Sequence, residues 1–251
     1  MNSTTELDRG AGEPHPRPVR ITSDSSYYDP ELRCTVLATT PAHRPNLWRS
    51  FVEGALSSYS HFGVEKALEY DRIVDGSTTS MFLVALDDSG ELVGGLRAQG
   101  PYSRPNETHA DIEWSSSWTG RAALRRMVSA RLSNGVVEMK TVWSAVGRTR
   151  HGAPGYFGAI GASLVAAASG CRHTLATSAE HAVGPYLDSG AVMATHIDAV
   201  AYPDDRYRTR IIWWDQNTVP LFATAEKLAQ ITFAVESLRS RELASTEAEA
   251  S

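Results

Sequence analysis

"VVEMKTVWSAVGRTRHGAPGYFGAIGASLVAAASGCRHTLATS", Val136 to Ser178, is the stretch on which the fold turns. Residues 135–146 read as a strand, 172–178 as another, and a glycine-rich loop and a helix of small residues lie between them. Strand, helix, strand in that order favours a parallel pair joined by a crossover. Gly152, Gly155, Gly158 and Gly161 are spaced three apart across the loop and the helix start. A helix N-terminus carries unpaired N–H groups and a partial positive charge, and glycine lets a phosphate approach that backbone. Arg148, Arg150 and His151 add local positive charge. Gly158 and Gly161 fall inside the helix, where each costs roughly 1 kcal/mol relative to alanine, so they are expected to let the helix pack close to a sheet. A Walker loop is excluded because Tyr156 and Phe157 follow Gly155 where Lys and Ser/Thr would be needed. The Gly-x-Gly-x-x-Gly dinucleotide spacing is also absent.

Working outward, "SMFLVALDDSGELVGGLRAQG" (80–100) reads as a β-hairpin around an Asp-Asp-Ser-Gly turn. "RCTVLATT" (33–40) is expected to be a strand. Residues 44–73 read as one or two helices, with Trp48, Phe51, Ala55 and Leu56 on one face and a break at Gly63. "HADIEWSS" (109–116) alternates like a strand, and 118–132 reads as an amphipathic helix with a basic outer face. A short helix ends at Gly190. "VMATHIDAVAY" (192–202) and "RYRTRIIWWD" (206–215) read as two long strands, the second with Arg206, Arg208 and Arg210 on one face. Leu221, Ala225, Leu228, Ile231, Val235 and Leu238 form the stripe of a C-terminal helix. Residues 1–32 are polar and proline-bearing and read as a disordered arm. The domain itself is placed at 33–216, with a helix and frayed tail over 217–251. The fold class is α/β (α+β): a central mixed sheet of about six or seven strands flanked by helices.

The 251 residues suit one domain with a real core. A net charge of −5 and a pI near 5.9 give no global reason to expect nucleic acid or an anionic membrane. Two cysteines fit a reducing compartment. No signal peptide or membrane span stands out, so a cytoplasmic protein is expected. The histidines form no HxxxH pair, so no metal site is expected. No Gly-x-Ser-x-Gly occurs, which argues against a serine hydrolase.

This order of elements resembles the GNAT superfamily of acyl-CoA-dependent N-acyltransferases over roughly residues 33–215. "FLVALDDSGELVGGLR" resembles its second and third strands, and "VVEMKTVWSAV" its fourth, which splays from the next. "SAEHAVGPYLDSGAV" resembles its late segment with a tyrosine, here Tyr186. The family loop carries Gln/Arg-x-x-Gly-x-Gly/Ala; here "RHGAPG" keeps Arg150 in register but has Ala153 at the central glycine. A narrower resemblance links Asp71, Asp75, Arg97 and Glu138 to the acyl-homoserine-lactone and N-acyl amino acid synthases, although Lys140 and Thr141 replace that branch's Ser-Arg.

The resemblance implies transfer of an acyl group from acetyl-CoA or another acyl-CoA to an amine. The acceptor would be a small-molecule amine or amino acid. Acyl carrier protein is the donor partner in the synthase alternative, and a non-catalytic acyl-CoA-binding module is a third reading. A base must take the amine's proton. Glu113 is the first candidate, sharing a strand face with His109 and Asp111, and Glu138 is the second. Tyr186 is implied as the acid beside the leaving sulfur. Backbone N–H groups of Trp143, Ser144 and Ala145 are implied at the splay, as donors to the developing oxyanion. Arg148, Arg150, Gly152, Gly155 and Tyr156 are implied as contacts of the donor's phosphates. The C-terminal helix either caps the domain or mediates a homodimer.

Overall fold

The computed structural model describes residues 24–147 and 153–249, with side chains described for all of these except 153, 154 and 241–249. Within them a nine-stranded sheet runs in the order β1-β2-β3-β4-β5-β6-β9-β7, with β8 also on β9. The strands are β1 Ser25–Asp29, β2 Cys34–Thr39, β3 Met81–Asp87, β4 Leu92–Gln99, β5 Val136–Ser144, β6 His173–Ala179, β7 Val192–Met193, β8 Val200–Ala201 and β9 Arg208–Asp215. Among the described residues the only parallel neighbours are β5 and β6, as the strand–helix–strand order implies.

Helices cover both faces. On one side lie α1 Pro45–His61, α2 Tyr70–Ile73, α3 His109–Glu113 and α4 Trp118–Ser129. Trp48, Phe51, Val52 and Ala55 of α1 bury against Phe82, Val84 and Trp143. Trp114, Leu124 and Val128 bury against Val136, Leu175, Ile211 and Trp213. On the other side lie α5 Ala153–Ser169 and the long C-terminal α8 Ala225–Glu249, whose buried residues join those of β1–β5 in the largest core. Two short helices, α6 Gly184–Asp188 and α7 Val219–Phe222, sit between β6 and β7 and before α8. No helix among the described residues is long and apolar enough to cross a membrane.

The hairpin is built as its turn residues dictate. Asp87 Oδ1 accepts from Ser89 N–H, Ser89 Oγ–H and Glu91 N–H, and Gly90 takes φ +80°. Gly161 is where α5 touches the sheet: a Cβ there would lie 2.2 Å from Leu96 Cδ2. The helix is close because the residue is small, as the sequence implied.

Four expectations are corrected. Residues 109–116 are helical rather than a strand. Thr108 caps α3, its Oγ1 accepting from Asp111 N–H at 3.3 Å, and the following turn runs through Trp114–Ser116. Part of the expected arm is ordered: Ser25–Asp29 pairs along β2, held by Tyr156 of α5, whose hydroxyl bonds Asp29; residues 1–23 lie outside the described residues. The expected strand 192–202 is two short pieces. Between them the chain turns at Ala194–Ile197 and buries both of those residues beside Trp114, whose indole N–H bonds the Asp198 carbonyl at 3.1 Å. The C-terminal stripe starts later than expected. Leu221 belongs to α7 and is 77% exposed, whereas Ile231, Ala234 and Leu238 are buried.

Candidate functional site

β5 and β6 pair only from Val136–Glu138 against His173–Leu175. Beyond that β5 stays with β4 and β6 stays with β9. The strands diverge, and Met139–Ser144 and Ala176–Ala179 become two walls of a cavity of about 510 Å³. The end of α1, Tyr186 and Tyr202 complete it. Trp143 is 4% exposed, and its indole fills the space over Gly54, where a Cβ would come within 2.1 Å of the ring. Its Nε1 has no hydrogen-bond partner among the described residues.

The cavity's inner wall is charged. Glu113 at the end of α3 and Lys140 on β5 meet with Oε1 and Nζ 2.5 Å apart, and Thr177 Oγ1 donates to the same oxygen at 3.0 Å. His109 stands one helical turn before Glu113. Its Nδ1 lies 2.8 Å from Glu113 Oε1, and its Nε2 lies 2.8 Å from Glu69 Oε2. Burial and Lys140 push the His109 pKa down, but the bonds to Glu113 and Glu69 outweigh them and raise it. An imidazolium donating from both nitrogens fits that balance. Lys140 Nζ also lies 2.8 Å from Nδ1, within hydrogen-bond distance, so both side chains converge on Glu113 Oε1. Three donors thus crowd Oε1 of Glu113, while Oε2 is buried and has none among the described residues.

Burial alone would raise the Glu113 pKa, yet Lys140 and His109 hold it down to about 2. The sign follows from linkage. A carboxyl lowered in the folded state stabilises that state above its unfolded value, and the gain is lost as pH falls through the folded value. Lowering from 4.5 to about 2 corresponds to about 3 kcal/mol. The raised His109, bonded by Glu69 as well as Glu113, contributes in the opposite sense: its stabilisation is present below the unfolded value and is lost as pH rises through the folded one. Thermal midpoints are expected to fall steeply as pH drops from 4.5 toward 2, and Glu113→Gln is expected to flatten that dependence.

The expected site residues divide. Glu113 and Tyr186 both line the cavity. The Tyr186 hydroxyl is pushed up to about 12 by burial, and its ring stands edge-on to Trp214 at 5.8 Å. His109 joins Glu113 through helical rather than strand spacing. Asp111 turns away, both its oxygens bonded by Arg121 and Arg125.

Glu138 does not face the cavity with a vacant oxygen. It accepts from the N–H groups of His109 and Ala110 at 2.7 and 3.0 Å and from Tyr102 Oη at 2.8 Å. It anchors the start of α3, and so sets where His109 and Glu113 sit. Ala145 is no oxyanion donor, because its N–H bonds Val93 C=O at 2.9 Å. By the alternation of an antiparallel ladder the Trp143 N–H turns the same way, and Ser144 between them turns its N–H toward the opening. Tyr156 points the other way, into the core, bonding Tyr27 Oη at 2.9 Å and Asp29. Gly155 is exposed at the start of α5. Arg148, Arg150 and Gly152 lie outside the described residues.

Sequence reasoning missed Glu69, Lys140, Thr177 and Tyr202. Lys140 had a signal, since it follows Glu138 by two on one strand and must share its face. Glu69 had none. It reaches His109 from a left-handed backbone conformation, φ +51°, that no local pattern announces. The arginine row of β9 is absorbed locally, Arg208 and Arg210 by Glu180 and Arg206 by Asp204.

No family model matches the chain. It is 36% identical over 216 residues to the uncharacterised protein Rv1356c of Mycobacterium tuberculosis, covering 86% of this chain and 82% of that one. The same figures hold for Mb1391c of Mycobacterium bovis. Among solved structures it is similar to FeeM, an N-acyl amino acid synthase from uncultured soil microbes. The TM-score is 0.50 at 12% identity, over 76% of this chain and 96% of that one. At that identity the likeness is one of fold. The diverging β5 and β6 and the helix between them are features the GNAT resemblance implied. The chain has the fold of the GNAT N-acyltransferases and belongs to one family with these mycobacterial proteins.

Proposed function

We propose that the chain is an N-acyltransferase that moves an acyl group from acyl-CoA to an amine by direct transfer. One observation carries this reading: the strand splay opens onto a buried carboxylate, Glu113, with one oxygen crowded by donors and the other vacant. The donor's thioester lies in the opening, where the Ser144 N–H faces and the Trp143 indole N–H is unpartnered. As the free amine bonds the carbonyl carbon, its nitrogen gains positive charge and its N–H acidifies. Glu113 Oε2 takes that proton. The C–S bond breaks, and Tyr186, which stays protonated at neutral pH, gives its proton to the sulfur. The proton held by Glu113 then returns to Tyr186 through water, so one proton moves in total from nitrogen to sulfur.

The test is thermal stabilisation together with thiol release. Acetyl-CoA and a long-chain acyl-CoA, at concentrations well above Kd, are each expected to raise the midpoint if bound, because a ligand selective for the native state stabilises it. An amine panel should then release thiol. Stabilisation by long-chain donors alone would move the reading toward the synthase branch. Stabilisation by NAD but by no acyl-CoA would overturn it.

A further inference from the structure

A second buried atom of a cavity residue has no partner among the described residues: the hydroxyl oxygen of Tyr202. The Tyr202 ring stands edge-on to His109 with centroids 6.1 Å apart, and both Tyr202 and Glu113 line the cavity. Tyr202 feels the charge of Glu113, which adds to burial in pushing its hydroxyl up. A buried polar atom without a hydrogen bond is costly. Two such atoms, from residues that both line the cavity, point to a ligand group that partners them. A primary amine matches: two N–H groups for two vacant acceptors, with the lone pair left for attack.

The rest of the cavity describes the remainder of the acceptor. Tyr59, Phe62 and Tyr207 also line it, rings that bury an apolar or aromatic body. Lys140 is the single lysine or arginine among the described lining residues, and it is bound by Glu113. Arg206 stacks over Tyr207, its guanidinium carbon 5.4 Å from the ring centre, but is held by Asp204 and by the Gly63 carbonyl. A carboxylate on the acceptor would thus meet the Glu113 charge with no free lysine or arginine among the described lining residues, and desolvating it there is unfavourable.

Resting on the acyltransfer reading above, we infer that the acceptor is a hydrophobic primary amine without a carboxylate, its nitrogen held between Glu113 Oε2 and Tyr202 Oη. The acceptor is an arylalkyl- or alkylamine rather than an amino acid. Tyr202 is then a specificity residue for the amine and has no part in donor binding.

The experiment compares 2-phenylethylamine with phenylalanine, which differ by the carboxylate alone, in thiol release from acetyl-CoA and from a long-chain acyl-CoA. 2-Phenylethylamine is expected to exceed phenylalanine by about a hundredfold or more in kcat/KM. Tyr202→Phe is expected to raise the KM for the amine about tenfold, the loss of one buried hydrogen bond, with the KM for the donor unchanged. Phenylalanine or another α-amino acid acylated as well as the amine would overturn this inference while leaving acyl transfer standing. So would an unchanged amine KM in folded Tyr202→Phe. Thiol release with no amine of either kind would overturn both.

Discussion

Glu113→Gln lowers kcat by about 10²- to 10⁴-fold, the usual contribution of a positioned proton acceptor, and leaves acyl-CoA binding intact. The amide keeps the shape of the side chain but cannot take the amine's proton. Its orientation is set by the inner wall, where Lys140, His109 and Thr177 all present donors. The amide oxygen turns to them, and the NH₂ group then occupies the Oε2 position. A donor stands where an acceptor is needed, so the amine is repelled as well as left protonated. Isothermal titration with acyl-CoA should give the wild-type Kd while thiol release collapses. Retention of more than a tenth of the turnover would remove Glu113 from the reaction. The pH profile adds a second readout. With a pKa held down to about 2, Glu113 is ionised wherever the protein is folded. The acid limb of kcat/KM should therefore follow the pKa of the amine supplied and move when a less basic amine is used.

The parts of the molecule that could be read from the chain are those set by local rules over enough residues. The hairpin 80–100, the helix from Pro45 and the strand–helix–strand unit from Val136 each carry a long period or a turn whose chemistry is specific. "HADIE" shows how a short pattern misleads. Positions 109, 111 and 113 alternate as in a strand, yet 109 and 113 are also one helical turn apart. Thr108 with Asp111 three residues on marked a helix start, and that signal decides the matter. Glu113 reaches the site by either reading, but Asp111 goes with the helix to Arg121 and Arg125. The network around Glu113 was less visible because its members come from five separate segments. Glu69, His109, Lys140, Thr177 and Tyr202 are neighbours only through the sheet order, and no spacing along the chain encodes that. Glu138 and Tyr156 show the converse: residue types suited to chemistry, placed by the fold in structural hydrogen bonds.

Gly95→Ala is expected to be the most damaging single methyl group in the sheet. An added Cβ would lie 2.4 Å from the Leu83 carbonyl oxygen and 3.0 and 3.2 Å from two carbons of the Phe51 ring. The carbonyl belongs to the backbone of the adjacent strand and cannot swing aside as a side chain would. The ring is packed between Trp48, Phe82 and Trp143. Strand β3 and helix α1 would both have to retreat. Overpacking of that kind costs about 3 kcal/mol, which for a chain of this size lowers the thermal midpoint by roughly 6–12 °C. Gly184→Ala, where nothing lies within 4 Å of the new methyl, is the matched control and should move it little. The consequence reaches the site through the ladder. Gly95 pairs with Trp143, and the register shift that follows it turns Arg97 inward onto Thr79 and Thr141. A β4 displaced at Gly95 carries the Trp143 indole out of its seat over Gly54 and narrows the opening between β5 and β6. Donor affinity should therefore fall in the surviving folded fraction of Gly95→Ala, whereas Gly184→Ala keeps it. Equal midpoints for the two variants would mean that the strand and the helix are not packed as closely as these distances require.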